Sequence, residues 1–140
     1  MMLEFYKMTG ADHDFVMVDN RDLALSSVLT LENIKDVCNR RFGIGADGVI
    51  VVEPGQTKRT VRMRYFNADG AEVAGCADGA RCFAAFVDFL LETASHKIRF
   101  ETASGVVTGV VNDDDSVTVE GGEPGPALIV FRGEVIICEA

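Results

Sequence analysis

The stretch Cys76-Ala77-Asp78-Gly79-Ala80-Arg81-Cys82-Phe83-Ala84-Ala85-Phe86-Val87-Asp88-Phe89-Leu90-Leu91 decides how the rest of the chain is read. Ala80, Phe83, Ala84, Val87, Leu90 and Leu91 recur at the spacing of one side of a helix, and Phe86 widens the apolar surface. The spacing predicts a helix over residues 79–93, the longest and most apolar of the chain. Such a helix needs cover on several sides. Asp78 stands where an N-cap is expected, and Cys76 falls beside the unpaired first amides of the helix. A helix start favours a thiolate, and the same amides suit a carboxylate.

Downstream of that helix, residues 97–102, 106–111, 116–120, 127–131 and 135–138 read as five short strands, with Asn112-Asp113-Asp114-Asp115 as a solvated hairpin turn. Upstream, Val61, Met63 and Tyr65 alternate with Arg62, Arg64 and Phe66, a strand that ends in the turn Asn67-Ala68-Asp69-Gly70. Residues 49–53 form a β-branched strand after the break Gly43-Ile44-Gly45-Ala46-Asp47-Gly48. A first helix is expected over residues 31–42, capped by Thr30, with Ile34, Val37, Cys38 and Phe42 on one side. Residues 3–8 and 15–19 make a hairpin-like opening around the loop 9–14. The expected fold is α+β: one domain over residues 1–140, with a curled antiparallel or mixed sheet of about eight strands around the long apolar helix, plus one further helix.

A chain of 140 residues with 48% hydrophobic content can bury one core, and 13 basic against 22 acidic side chains leave a net charge of −9. That charge opposes nucleic-acid phosphates and anionic membranes, so neither is an expected partner. The first residues contain no basic stretch followed by a long apolar run, and a cytoplasmic address is expected. Cys38, Cys76, Cys82 and Cys138 contain no Cys-x-x-Cys pair, which argues against a zinc ribbon or a thioredoxin-type motif, and no metal is expected. Free thiols are expected, with Cys38, Cys82 and Cys138 as packing residues and a Cys76–Cys82 disulfide only under oxidation.

Cys76 has the position of a base. Inverting an amino-acid α-carbon without a cofactor requires a proton acceptor on one face and a donor on the other, and a thiolate/thiol pair suits both roles. One cysteine is half of that mechanism. His13, in the 9–14 loop, is a candidate donor to a substrate carboxylate, with an ordinary turn residue as the plainer reading. Asp47, Asp69 and Glu72 are explained by turn formation or surface charge as readily as by chemistry.

Four motifs in order make the reading more specific: Lys7-Met8-Thr9-Gly10 with Asp14-Phe15, then 43–48, then Phe66-Asn67-Ala68-Asp69-Gly70-Ala71-Glu72, then 76–82. Together they resemble the diaminopimelate epimerase family. The resemblance implies a cofactor-independent epimerase of a small amino acid in lysine and cell-wall precursor synthesis, with two cysteines facing each other across a cleft between two similar domains. It implies that Cys76 is the base of the N-terminal domain, that Asn67 binds substrate, and that the amides of Ala77, Asp78 and Gly79 cradle a carboxylate. The family usually has Gly-Asn-Gly where this chain has Ala77-Asp78-Gly79, and Asn where it has His13.

Residues 1–124 resemble the family's N-terminal domain, and residues 125–140 resemble the strand pair that returns to it from the second domain. The junction at residues 121–125 leads to the expectation of a half-fold lacking the second domain, of engineered or reconstructed origin. Two functions follow. One is an epimerase whose opposing cysteine comes from a second chain in a homodimer; the alternative is a catalytically silent scaffold or a carboxylate-binding module.

Overall fold

Alternation of apolar side chains along the strands sets the architecture of the computed structural model, which describes residues 1–137. The elements are β1 (Met2–Thr9), β2 (Asp14–Asp19), α1 (Leu31–Cys38), β3 (Gly48–Pro54), β4 (Val61–Asn67), β5 (Glu72–Val73), α2 (Ala77–Leu91), β6 (Lys97–Thr102), β7 (Gly105–Val111), β8 (Val117–Val119) and β9 (Leu128–Ile136). They form an α+β fold built on one mixed sheet in the order β8-β7-β6-β4-β3-β2-β1-β9, with β5 paired to β4. The β2–β3 and β4–β6 pairs are parallel and the others antiparallel.

Each face of the sheet buries its own core. Met8, Phe15, Met17, Ile50, Met63, Tyr65 and Phe100 point toward α2, where they meet Cys82, Phe83, Phe86 and Val87. Leu3, Phe5, Val16, Val18, Val49, Val51 and Phe66 point the other way, toward Ile34 and Val37 of α1. Phe83 and Phe86 are fully buried, and Phe83 packs 4.7 Å from Phe100 between ring centroids. Each such burial contributes roughly 2–3 kcal/mol. Contacts from α2 reach β2, β3 and β6 through β9, the cover on several sides that its apolar surface demands.

The structure corrects several boundaries. The first helix stops at Cys38 rather than 42, because the Asn39 side chain accepts from the amides of Arg41 and Phe42, each at 2.9 Å, and draws the backbone out of the helix. Phe42 is 83% exposed and lies off the buried stripe. The second helix spans Ala77–Leu91 rather than 79–93, stops at Glu92 in left-handed conformation (φ 50°), and leaves Leu91 exposed. Asp78 is not its N-cap; Cys76 is.

The strands expected at 127–131 and 135–138 are one continuous strand, β9, paired antiparallel with β1 from Met2↔Ile136 to Thr9↔Leu128. Gly133 makes no turn there. It lies opposite Phe5, and a Cβ on it would come within 3.1 Å of the Phe5 ring. A register shift at Lys7/Met8 takes up one extra residue on β9. β9 is an edge of the sheet, and its Leu128, Val130, Phe131 and Ile136 are exposed. The two-residue β5 has no counterpart in the strands expected from sequence. Cys138, expected to pack in a terminal strand, lies outside the described residues.

Candidate active site

Cys76 enters α2 from a tight approach. β5 leads into Ala74-Gly75, and Gly75 has φ +106°, a conformation that glycine adopts without strain. Cys76 itself is extended, and its Sγ accepts from the Gly79 amide at 3.4 Å. The Tyr65 hydroxyl lies 3.7 Å from the same sulfur. Burial, and then the neighbouring Cys76, push the Tyr65 phenol up, so at neutral pH its O–H is available as a donor. Gly79 makes this contact possible, because a Cβ at that position would meet the Tyr65 ring at 2.7 Å.

The other described cysteines are packed away. Cys38 is 3% exposed, with its thiol pushed up to about 11 by burial; Cys82 is 0% exposed, with its thiol pushed up to about 12 by the same cause. All three described cysteines are free thiols, and Cys76 alone among them is half-buried.

Asp78 turns away from the helix start into the 9–14 loop. It is 4% exposed, and both of its oxygens are occupied. Oδ1 accepts from the Ala11 amide at 3.0 Å and from Arg81, while Oδ2 accepts from the Asp12 amide at 2.8 Å and lies 2.9 Å from His13 Nδ1. Burial alone would raise its carboxyl; His13, the two amides and Arg81 outweigh that and hold it well below the usual carboxylate range. Gly10 packs directly on this carboxyl, where a Cβ would sit 2.9 Å from Cγ. Behind it, the buried Arg81 Nε has no hydrogen-bond partner among the described residues, and the guanidinium lies against Gly125.

His13 has a half-exposed ring stacked on Phe15 at 6.3 Å, and Phe15 in turn meets Tyr65 edge-on at 5.6 Å. His13, Phe15, Tyr65 and Cys76 therefore form a chain of contacts that runs from the half-exposed His13 through the buried Phe15 and Tyr65 to the half-buried Cys76. Asn67 ends β4, the strand that carries Tyr65; its backbone closes the 67–71 turn and the residue is exposed. Ala77 is exposed, and Gly79 is buried under the first turn.

Asp47 serves the scaffold. Asp14 binds Arg40 through two bonds of 2.9 and 2.7 Å and Lys7 at 3.0 Å, and the Asp47 carboxylate accepts from the Asp14 amide at 3.0 Å. This network fastens the 9–14 loop to the 43–48 segment. Glu72 holds Arg64 through two bonds of 2.8 Å. Sequence reasoning passed over Tyr65 and Arg81 as site residues. Tyr65 reads only as an alternating core position, and nothing local shows that its hydroxyl reaches Cys76.

Among the described residues, no group of three or more His, Cys, Asp or Glu side chains is placed to hold a metal ion. A cavity of about 490 Å³ between the 54–60 loop and β6–β7 is lined by Arg62, Arg99 and Glu101 but by none of the residues around Cys76. No helix among the described residues is long and apolar enough to cross a membrane.

The family model for diaminopimelate epimerase matches residues 5–125. The chain belongs to the diaminopimelate epimerase family. It is 42% identical over 143 residues to the diaminopimelate epimerase of Synechocystis sp., covering 98% of this chain and 51% of that protein. It is 44% identical over 135 residues to the enzyme of Aromatoleum aromaticum, covering 94% and 48%. Across the curated family members described, the chain spans between 34% and 51% of their length. Among solved structures, methylitaconate-delta-isomerase shares the fold with a TM-score of 0.66 at 10% identity, covering 98% of this chain and 96% of that one.

Proposed function

We propose that Cys76 is one of the two thiol bases of a cofactor-independent amino-acid epimerase of the diaminopimelate type, and that a second chain supplies the opposing cysteine. The observation that carries this reading is the placement of Cys76 Sγ at the start of α2, hydrogen-bonded by Gly79 N and beside Tyr65 Oη, while Cys38 and Cys82 are buried. Neither buried thiol is open to a substrate, Cys38 being 3% and Cys82 0% exposed. In the step, the Cys76 thiolate takes the α-hydrogen as a proton, the C–H electron pair passes into the carboxylate-stabilised carbanion, and the opposing thiol returns a proton to the other face. The reverse reaction exchanges the two roles.

The substrate α-carboxylate sits at the first amides of α2. Gly79 N is already committed to the Cys76 sulfur, so the amides of Ala77 and Asp78 carry most of that contact. The exposed Asn67 amide contacts the remainder of the substrate, and His13 closes the rim. Asp78 contributes through its backbone amide, its side chain being spent on the 9–14 loop. The setting is cytoplasmic lysine and cell-wall precursor synthesis.

The test is solvent-deuterium incorporation at the α-carbon across a panel that includes diaminopimelate and proline, alongside the mass of the protein in solution. A dimer that incorporates deuterium, and a Cys76→Ala variant that does not, support the reading. A dimer that exchanges no substrate of the panel overturns it. A stable monomer without exchange supports the silent half-fold, a second reading favoured by the single accessible thiol among the described residues.

A further inference from the structure

Two of the three positions where this sequence leaves the family's usual pattern, His13 and Asp78 but not Ala77, touch each other. His13 and Asp78 are 65 positions apart in the chain, and His13 Nδ1 lies 2.9 Å from Asp78 Oδ2. Two asparagines at such positions can hydrogen-bond, but neither changes charge with pH. An imidazole on a buried carboxylate does.

The contact fixes more than a distance. Asp78, saturated by two backbone amides and Arg81, is an acceptor only, so His13 Nδ1 must carry the hydrogen between them. That choice leaves Nε2 as the variable atom: a lone pair in the neutral ring and an N–H donor in the cation. No described residue hydrogen-bonds Nε2, and the side chain is 46% exposed. The charged groups facing the ring are Asp78 from α2, Asp12 from its own loop and Asp47 from the segment before β3, with Arg81 behind Asp78. Their acidic balance favours the cation, and the Asp78 hydrogen bond is the largest cause of the raised His13 titration.

We infer that His13 Nε2 is a proton-gated contact for a carboxylate ligand at the rim of the Cys76 site, with Asp78 the positioning residue that fixes its tautomer. The inference rests on the reading of that site as an amino-acid epimerase site. Reciprocal linkage gives the sign: a bound carboxylate stabilises the imidazolium, so affinity rises as pH falls through the His13 titration. Ligand recognition therefore differs from that of a neutral amide at position 13, which donates at every pH.

The experiment is an NMR titration of the two histidine rings of the full chain, with and without saturating diaminopimelate, together with binding calorimetry on either side of the His13 midpoint. His96 is paired with Asp88 at 2.9 Å on a different contact and serves as the internal control. The expected result is an upward shift of the His13 midpoint of about one unit, matched by about tenfold tighter binding below it than above it, with His96 unmoved. His13→Asn flattens the pH dependence of affinity. Asp78→Asn, checked for folding by circular dichroism, halves the midpoint shift or more. An unmoved His13 midpoint with bound diaminopimelate and continued α-hydrogen exchange overturns this inference and leaves the epimerase reading standing. Absence of both binding and exchange overturns both.

Discussion

Tyr65 Oη lies 3.7 Å from Cys76 Sγ, and the two residues arrive there from different elements, the end of β4 and the cap of α2. Because the phenol stays protonated, its O–H points charge stabilisation at a sulfur that must become anionic to act. Tyr65→Phe keeps the ring against Gly79 and removes only that donor. Alkylation of Cys76 by iodoacetamide near neutral pH is expected to slow about fivefold, the equivalent of roughly 1 kcal/mol. An unchanged rate would show that the hydroxyl does not act on the sulfur.

Gly79→Ala tests the same contact from the other side. The added Cβ meets the Tyr65 ring at 2.7 Å and the Ile50 side chain at 3.3 Å, both parts of the packed core, so neither yields freely. The gain in helix propensity, about 1 kcal/mol, is outweighed by overpacking of roughly 1–3 kcal/mol. Urea unfolding should show a net loss, and Cys76 reactivity should change because Tyr65 is displaced. A stabilised variant would contradict the packing.

The three described cysteines separate by burial. Cys38 and Cys82, pushed up to about 11 and about 12, stay thiols in the folded protein at mildly alkaline pH, and neither is accessible. Peptide mapping after brief iodoacetamide treatment is expected to find Cys76 modified and Cys38 and Cys82 untouched until urea is added. Native-state labelling of Cys82 would show that α2 opens.

Much of the fold was legible because hydrophobic spacing is local. The face of α2 reads directly from Phe83, Ala84 and Val87, and the alternation along β4 places Met63 and Tyr65 in one core. What sequence misplaced depends on partners distant in the chain. Asp78 outranks cysteine as a helix cap on local grounds, yet amides 66 and 67 positions upstream claim its carboxylate and leave the cap to Cys76. The break expected between strands at 127–131 and 135–138 is absent because Gly133 pairs opposite Phe5, a partner far away in the chain. The early end of α1 was in principle local, since Asn39 caps the next two amides, but Phe42 continued the apolar spacing and masked it.

Gly133 gives a test of whether β9 completes the fold. A Cβ there would lie 3.1 and 3.2 Å from atoms of the Phe5 ring, which is buried in the same core as Leu3 and Val16. Gly133→Val is expected to destabilise the chain by roughly 1–3 kcal/mol in urea unfolding, β-branching offsetting part of the cost. Pairing with Phe5→Leu, which opens space beneath, should recover part of the loss. If Gly133→Val left the unfolding midpoint unchanged, β9 would not be packed on β1 in solution.

The charged network dictates how stability depends on pH. Arg40 first, against the opposing effect of burial, and then Lys7 and Asp47 hold the Asp14 carboxyl well below the usual carboxylate range, and Asp78 is held low as well. Groups whose folded values are depressed stabilise the fold fully above their unfolded values, near 3.9, and lose that contribution as pH falls through the folded ones. His13 has the opposite sign: raised above 6.5, it contributes fully below that value and loses its contribution as pH rises through the raised one. Its exposed ring makes this the smaller effect. The urea midpoint should therefore decline gently on the alkaline side and fall steeply below about pH 4. Asp78→Asn is expected to cost roughly 3 kcal/mol at neutral pH, because it strands Arg81 without its carboxylate, and to flatten the acid limb. An acid limb as steep as that of the parent protein would show that the loop-to-helix clasp does not couple protonation to folding.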